Sequence, residues 1–282
     1  MGELELLQGR TFGPASLVAS PDRVAAFAAA IGADPERWSS FAPPLFANAA
    51  LFTAAPLFLY DPAVVSFTRS LIHSTQEFAW SRALRVGETV TVSGKVESVR
   101  ARGALYFVSF TLEAVGESGP WMAGTSLFLM SDAAAAAAED VAEPAVALRP
   151  PLDPPAASGG FPAAGDPLLP YRCGASRADL VRYAAASGDW NPIHWDHDSA
   201  RAAGLSGTIV HGLLMAAWMA NAVCRFTTSS DPIRSLEVRF RNPLRPAVGA
   251  VVTGSGAAAG RCDLALSVGD ERLVTGRIRV TP

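Results

Sequence analysis

Asp189 and His194 stand five residues apart in Ser187-Gly188-Asp189-Trp190-Asn191-Pro192-Ile193-His194, a segment whose own chemistry restricts its shape. A carboxylate and an imidazole brought to one point can take a proton, give a proton and hold a water between them, which is general acid–base chemistry. Gly188 suits the end of a helix and Pro192 cannot continue one, so residues 189–194 are predicted to form a fixed turn with Asn191 bracing it. Further on, His211-Gly212 opens an apolar run, and Gly212 is expected at a helix start, where free amides and the helix dipole converge. Its backbone N–H is the candidate stabiliser of negative charge on an oxygen, with His211 either shaping the pocket or bracing the loop. Taken alone, Asp189 reads as a turn residue and His194 as a structural histidine. Their joint spacing with His211-Gly212 favours a catalytic pair. The neighbouring His194, Asp196, His197 and Asp198 include metal-ligand types, but adjacent residues on a turn diverge, so no metal is expected.

The elements that must position these residues are visible as a repeat. Residues Ser20 to Gly32 align with Ser176 to Gly188 at an offset of 156, each reading as a short helix. Ser20 and Ser176 suit N-caps, Asp179 the capping-box position, and Gly32 and Gly188 the position just past the end. Leu84-Arg85 and Gly94 match Leu244-Arg245 and Gly254 at an offset of 160. Leu236, Val238 and Phe240 alternate with charged residues, the period of a strand with one buried face. Similar strands are predicted near 89–99, 104–115, 121–130, 247–254, 262–268 and 272–280. Each half also carries a long apolar stretch, Leu45 to Tyr60 and Gly212 to Phe226, which as helices must be buried. Between the halves lies an Ala- and Pro-rich stretch. The expected organisation is residues 1–132, a linker over 133–170, and residues 171–282. The fold class is α+β: two curved antiparallel sheets, each wrapping a long central helix.

The run from Ser187 to Asp196, with Ala202-Ala203-Gly204-Leu205, Ile209 to Leu213 and Arg239-Phe240-Arg241-Asn242-Pro243, closely resembles the MaoC-like, or type 2 enoyl-CoA hydratase, signature. The first half is similar more weakly, through His73 to Glu77 and Val86-Gly87-Glu88. The resemblance implies a two-domain double hot dog with a degenerate first half. It implies a hydro-lyase that interconverts trans-2-enoyl and (R)-3-hydroxyacyl thioesters, its Asp and His sharing one water. His194 is assigned as base and Asp189 as acid in hydration, the reverse remaining open, and Asp189 then needs a raised pKa. No cofactor is implied beyond the thiol carrier, CoA or an acyl-carrier protein. At the 156-residue offset the first half has Ala33 and Trp38 where the second has Asp189 and His194, so it lacks both titratable groups. It is expected to accommodate the acyl chain instead. Asn191, His211 and Gln76 are the candidate substrate-binding residues, with Gln76 and His73 either lining the acyl channel or lying on a strand surface. Ala220 stands where some members place a serine on the central helix.

Composition excludes other classes. Of 282 residues, 50% are hydrophobic and 17% charged, yet no apolar run approaches the roughly 18 residues of a membrane span. The start, Met1-Gly2-Glu3-Leu4-Glu5, lacks the basic and apolar regions of a signal peptide, so a cytoplasmic protein is expected. A net charge of −3 with dispersed Lys and Arg gives no basic stripe for nucleic acid. Three scattered cysteines suit neither a disulfide framework nor a zinc finger. A homodimer is compatible with these features. Two rival functions are a non-catalytic thioester-binding or structural subunit and a hot-dog thioesterase.

Overall fold

Leu236 and Val238 are buried while Glu237 and Arg239 are exposed, so this strand has one wet and one dry face. The same alternation recurs along the chain and builds a sheet whose dry face is filled by two strongly apolar helices. The computed structural model describes residues 3–133, 135–156 and 161–281.

The first half contributes β1 (Thr11–Val18), α1 (Pro21–Ala30), α2 (Ala47–Leu59), β2 (Ile72–Trp80), β3 (Thr89–Arg102), β4 (Leu105–Gly116) and β5 (Gly119–Met130). The second contributes β6 (Tyr171–Cys173), α3 (Arg177–Ser187), α4 (His197–Ala202), α5 (Gly212–Cys224), β7 (Ile233–Phe240), β8 (Ala250–Ala257), β9 (Arg261–Val268) and β10 (Glu271–Val280). Every residue of α5 from Leu213 to Cys224 is buried. The predicted central helix of the first half begins as a single 3-10 turn, Pro44–Phe46, before α2 proper. Among the described residues, no helix is long and apolar enough to cross a membrane.

The ten strands form one sheet in the order β1-β3-β4-β5-β2-β7-β10-β9-β8-β6. Exchanging β1 with β6, β3 with β8, β4 with β9, β5 with β10 and β2 with β7 reverses this order into itself. The chain is therefore a pseudo-twofold duplication joined through β2 and β7, which pair antiparallel with Glu77 opposite Glu237 at the centre. The two curved sheets expected from sequence thus fuse edge to edge. Single hydrogen bonds repeat as well: the Ala42 N–H to the Leu84 carbonyl (2.9 Å) has its counterpart in Val210 to Leu244 (2.7 Å). Likewise Gly87 to Ala19 (2.8 Å) corresponds to Ala247 to Ala175 (2.8 Å).

The strands read from periodicity lie where predicted, with ends displaced by a few residues. Three strands, β1, β2 and β6, escaped that reading: β1 contains Gly13 and Pro14, which break the alternation, β2 alternates only in its second half, and β6 is only three residues long. The described parts of the 133–170 segment contain no helix and only two isolated bridges, Ala164 to Gly256 and Pro167 to Ser255. Ala134 of the poly-alanine run, residues 157–160 of the expected linker, and Met1 and Gly2 lie outside the described residues.

The duplication also locates a strained residue. Gly87 turns the chain at φ +90°, whereas its counterpart Ala247 holds the same kind of turn at φ +66° with a Cβ present. For an L-residue that region costs about 1–2 kcal/mol, partly offset in glycine by its greater backbone entropy. Ala247→Gly is therefore expected to raise the unfolding free energy by roughly 0.5–1 kcal/mol, read as a higher urea midpoint at unchanged slope.

Candidate active site

Asp189 owes its position to the way α3 begins and ends. At the start, the Ser176 hydroxyl accepts from the Asp179 N–H (3.2 Å) while the Asp179 carboxylate accepts from the Ser176 N–H (2.8 Å), a complete capping box. Ser20 forms no such side-chain bond to α1, although Gly32 (φ +75°) and Gly188 (φ +85°) end the two helices alike. Beyond Gly188 the Asp189 N–H donates to Ser187 Oγ at 3.2 Å and Asp189 Oδ1 accepts the Asn191 N–H at 3.4 Å. Asn191 Oδ1 accepts the Ile193 N–H at 3.4 Å, capping the 3-10 turn Pro192–His194 that carries His194. Asn191 is thus a brace of the turn.

A second segment closes on this turn from 206–211. Ile209 donates its N–H to the Ile193 carbonyl (3.2 Å) and accepts a hydrogen bond from His194 Nδ1 (2.9 Å). A carbonyl can only accept, so Nδ1 carries the proton and Nε2 keeps its lone pair. By the same reasoning His211 Nε2 is protonated, since it donates to the Asp189 carbonyl at 3.3 Å. The two imidazoles stack with centroids 3.7 Å apart and planes at 23°. Asp189, His194 and His211 each bring a side-chain ligand atom within 4.8 Å of the others, and all three are buried.

Gly212 follows as the first residue of α5, and its N–H has no partner among the described residues. The Phe240 ring lies over it, 3.2 Å from where a Cβ would be, so only glycine leaves this packing undisturbed. His211 therefore braces as well as lines the cluster. Gln76 is fully buried on β2, but its hydrogen bonds go to Ser126 (2.6 Å) and the Glu77 carbonyl (2.8 Å), not to the cluster. His73 is closer to it in kind, its ring packed on Phe128 and on the same Phe240 that covers Gly212.

Two residues absent from the sequence reading complete the surroundings. Tyr183 sets its ring against His211 at 4.7 Å, and its hydroxyl accepts from Asn48 Nδ2 at 3.0 Å. Asn48 also donates to the Leu213 carbonyl (3.2 Å) from α2, so the first half reaches across to hold the start of α5. The available signal was a carboxamide in the otherwise apolar run Ala47-Asn48-Ala49-Ala50-Leu51, where a buried polar group must find partners.

Burial sets the electrostatics. Desolvation pushes the Asp189 carboxyl up to about 7, against a weaker opposing hydrogen bond from Asn191. It pushes His194 down to about 4, opposed by its bond to Ile209, and His211 well below its usual range. Near pH 6 the cluster is thus an uncharged carboxylic acid beside two neutral imidazoles. As a metal site the donor set is poor: two near-parallel rings hold their lone pairs in separate planes, and one nitrogen of each ring is committed to a carbonyl. The other metal-type residues disperse, Asp196 capping α4 and His197 binding Asp140 and Glu143.

Two surface grooves, of about 510 and 570 Å³, lie elsewhere: one on the outer sheet face by Glu77 and Glu237, one by Arg37 and Arg225 at the far end of α5. Concavity and chemistry do not coincide here, and convergence of titratable groups is the better guide. Asp189 and His194 are each buried, with 7% of the residue exposed.

Residues 162–258 match the family model described as MaoC like domain, and residues 7–121 match the FAS1-like, dehydratase domain region. The second half thus carries a MaoC-like domain match, and the chain has a double hot-dog fold. It is 29% identical over 253 residues to 3-hydroxyacyl-thioester dehydratase X of Mycobacterium tuberculosis, covering 89% of this chain and 82% of that one. It is 35% identical over 80 residues, 28% of this chain, to the mitochondrial 3-hydroxyacyl-(acyl-carrier-protein) dehydratase of Arabidopsis thaliana, spanning about half (47%) of that protein. In structure it resembles a Mycobacterium tuberculosis protein described as having a double hotdog fold, with a TM-score of 0.67 at 13% identity over 99% of this chain and 98% of that one.

The raised Asp189 pKa has a stability consequence whose sign is opposite to that of a salt-bridged carboxylate. Folding favours its protonated form, so its stability penalty is absent below the unfolded pKa of about 4, grows with pH, and is complete above about 7. Asp189→Asn should therefore match the wild type near pH 4 and exceed it above pH 7 by up to about 4 kcal/mol, measured by urea unfolding across that range.

Proposed function

We propose that this chain reversibly hydrates trans-2-enoyl thioesters to (R)-3-hydroxyacyl thioesters. The single observation that carries the reading is the meeting of Asp189 and His194, with pKa values displaced in opposite directions, next to the free amide of Gly212. Neutral His194 offers Nε2 as a base and neutral Asp189 offers a carboxylic proton, the pairing that water addition requires near pH 6. In hydration His194 Nε2 takes a proton from water as its oxygen bonds to C3. The C2–C3 π electrons move toward the thioester, and the Gly212 N–H receives the charge that develops on its oxygen. Asp189 then delivers its proton to C2. Dehydration runs through the same positions in reverse.

The names of the two dehydratase relatives support a thioester substrate, one of them naming an acyl-carrier protein as its carrier; in this reading CoA is the other carrier the site would take. In this reading no metal or redox cofactor takes part, and the first half accommodates the acyl chain. The three cysteines are free and buried, in keeping with a reducing compartment such as the cytoplasm.

The decisive assay follows loss of the conjugated enoyl absorbance with trans-2-butenoyl-CoA and longer homologues, with chiral analysis of the product. Asp189→Asn and His194→Gln should each lower kcat/KM by about 10²–10⁴-fold. Turnover undiminished in both variants would overturn the assignment. Release of free thiol from saturated acyl-CoA would instead indicate a thioesterase, and binding without turnover a carrier subunit. The active state needs protonated Asp189 and neutral His194. Hydration should therefore fall as pH rises through about 7 and again as it drops through about 4, read from the pH profile of kcat/KM.

A further inference from the structure

We infer that Glu143, in the segment joining the two halves, is a positioning residue for His194; the inference rests on the acid–base reading of that imidazole. Glu143 lies 46 positions before Asp189 in sequence, yet its carboxylate is the hub of the loop that closes the site. Oε1 accepts from the Thr208 N–H (2.7 Å) and Oε2 from the Thr208 hydroxyl (2.6 Å), a two-point grip on one residue. Oε1 also meets His197 Nδ1 at 2.8 Å, while Arg177 and Arg245 approach the carboxylate at 3.6 Å. The side chain is only 11% exposed, so these charge-assisted bonds are little screened.

The residue Glu143 grips is one peptide unit from the group that orients the imidazole. Thr208 is followed by Ile209, whose carbonyl accepts from His194 Nδ1 and thereby leaves Nε2 as the free base. Two positions later comes His211, stacked on His194. The backbone around Glu143 reinforces the same contact: the Val141 N–H donates to the Ser206 carbonyl (2.9 Å), and Arg245 Nη2 donates to the Val141 (3.0 Å) and Ala142 (3.2 Å) carbonyls. Gly207 makes room for the clasp. A Cβ there would collide with the Arg245 guanidinium and lie 2.7 Å from Glu143 Oε1. The joining segment is therefore part of the site's support, tying α3, α4 and the 206–208 turn to one carboxylate.

A loop held this way fixes the Ile209 carbonyl before substrate arrives, and loosening it lets the imidazole drift. A displacement of about 1 Å in a reacting group can cost on the order of 10²-fold in rate. In the full-length chain, Glu143→Ala is expected to lower kcat for trans-2-butenoyl-CoA hydration by about that factor with KM little changed. Glu143→Gln, which can still accept from the amide and donate to the hydroxyl of Thr208, should recover most of it. With ¹⁵N-labelled histidine, the His194 Nδ1–H resonance should broaden or vanish through exchange in the alanine variant and persist in the glutamine variant.

Asp140→Asn alters a more exposed carboxylate of the same segment, one that also binds His197, and should leave rate and resonance unchanged. Unchanged kcat and an intact resonance in Glu143→Ala would overturn the inference, as would an equal effect from Asp140→Asn. Should Glu143→Ala not fold, Thr208→Val decides: a lowered kcat with a perturbed His194 resonance supports the inference, and neither change refutes it. If the wild type hydrates no enoyl thioester, the functional reading fails, while the imidazole resonance still decides whether Glu143 orients His194.

Discussion

The hydrogen bond from His194 Nδ1 to the Ile209 carbonyl is the interaction around which the rest of the second half is arranged. It selects a tautomer, and with it which nitrogen keeps its lone pair. A ring held at only one point could still swing. Here His211 covers one face, and His211 is itself fixed by the Asp189 carbonyl below and Tyr183 beside it. Tyr183 lies within α3, but Asp189, His194 and His211 each sit at a boundary where a helix or turn starts or stops. The geometry therefore follows from termination signals as much as from packing.

Neutrality is the second constraint. Placing an ionised carboxylate in an apolar interior without a cation is costly, and the protein provides no Arg or Lys partner for Asp189 among its described ion pairs. Asp179, ten residues earlier and in the first turn of α3, shows the alternative: paired with Arg149 and Arg182 and bonded to Ser176, its carboxyl is held down at about 2. One carboxylate near the start of α3 is fastened as an anion for structure. The other, just past its end, is left unpaired and stays protonated to higher pH.

Much of this was legible in the sequence because it depends on local rules. The helix ends at Ser176 and Gly188, the turn at Pro192 and the start of α5 at Gly212 are all written in residues with narrow conformational preferences. The duplication was visible for the same reason, as Gly32 and Gly188 do the same work. What stayed hidden depends on distant pairing. Asn48 gave only the hint of a polar residue in an apolar helix, and its partners Tyr183 and Leu213 lie far along the chain. Gln76 looked equally able to reach a ligand or a neighbouring strand, and β2 sets it against Ser126. The joining segment, rich in Ala and Pro, carried no periodicity to announce that Glu143 would be enclosed by the second half.

The seam between β2 and β7 makes one molecule out of two unlike copies. In a dimer of identical subunits every substitution occurs twice, so a residue that improves one pocket's lining alters the other pocket equally. Covalent fusion removes that restriction. One copy can carry Ala33 and Trp38 where the other has Asp189 and His194, so that the buried titratable groups of the second copy sit in an environment specified for them alone. The trade is stoichiometric: half as many buried acid–imidazole clusters per sheet, in exchange for a boundary whose two sides can be specified separately.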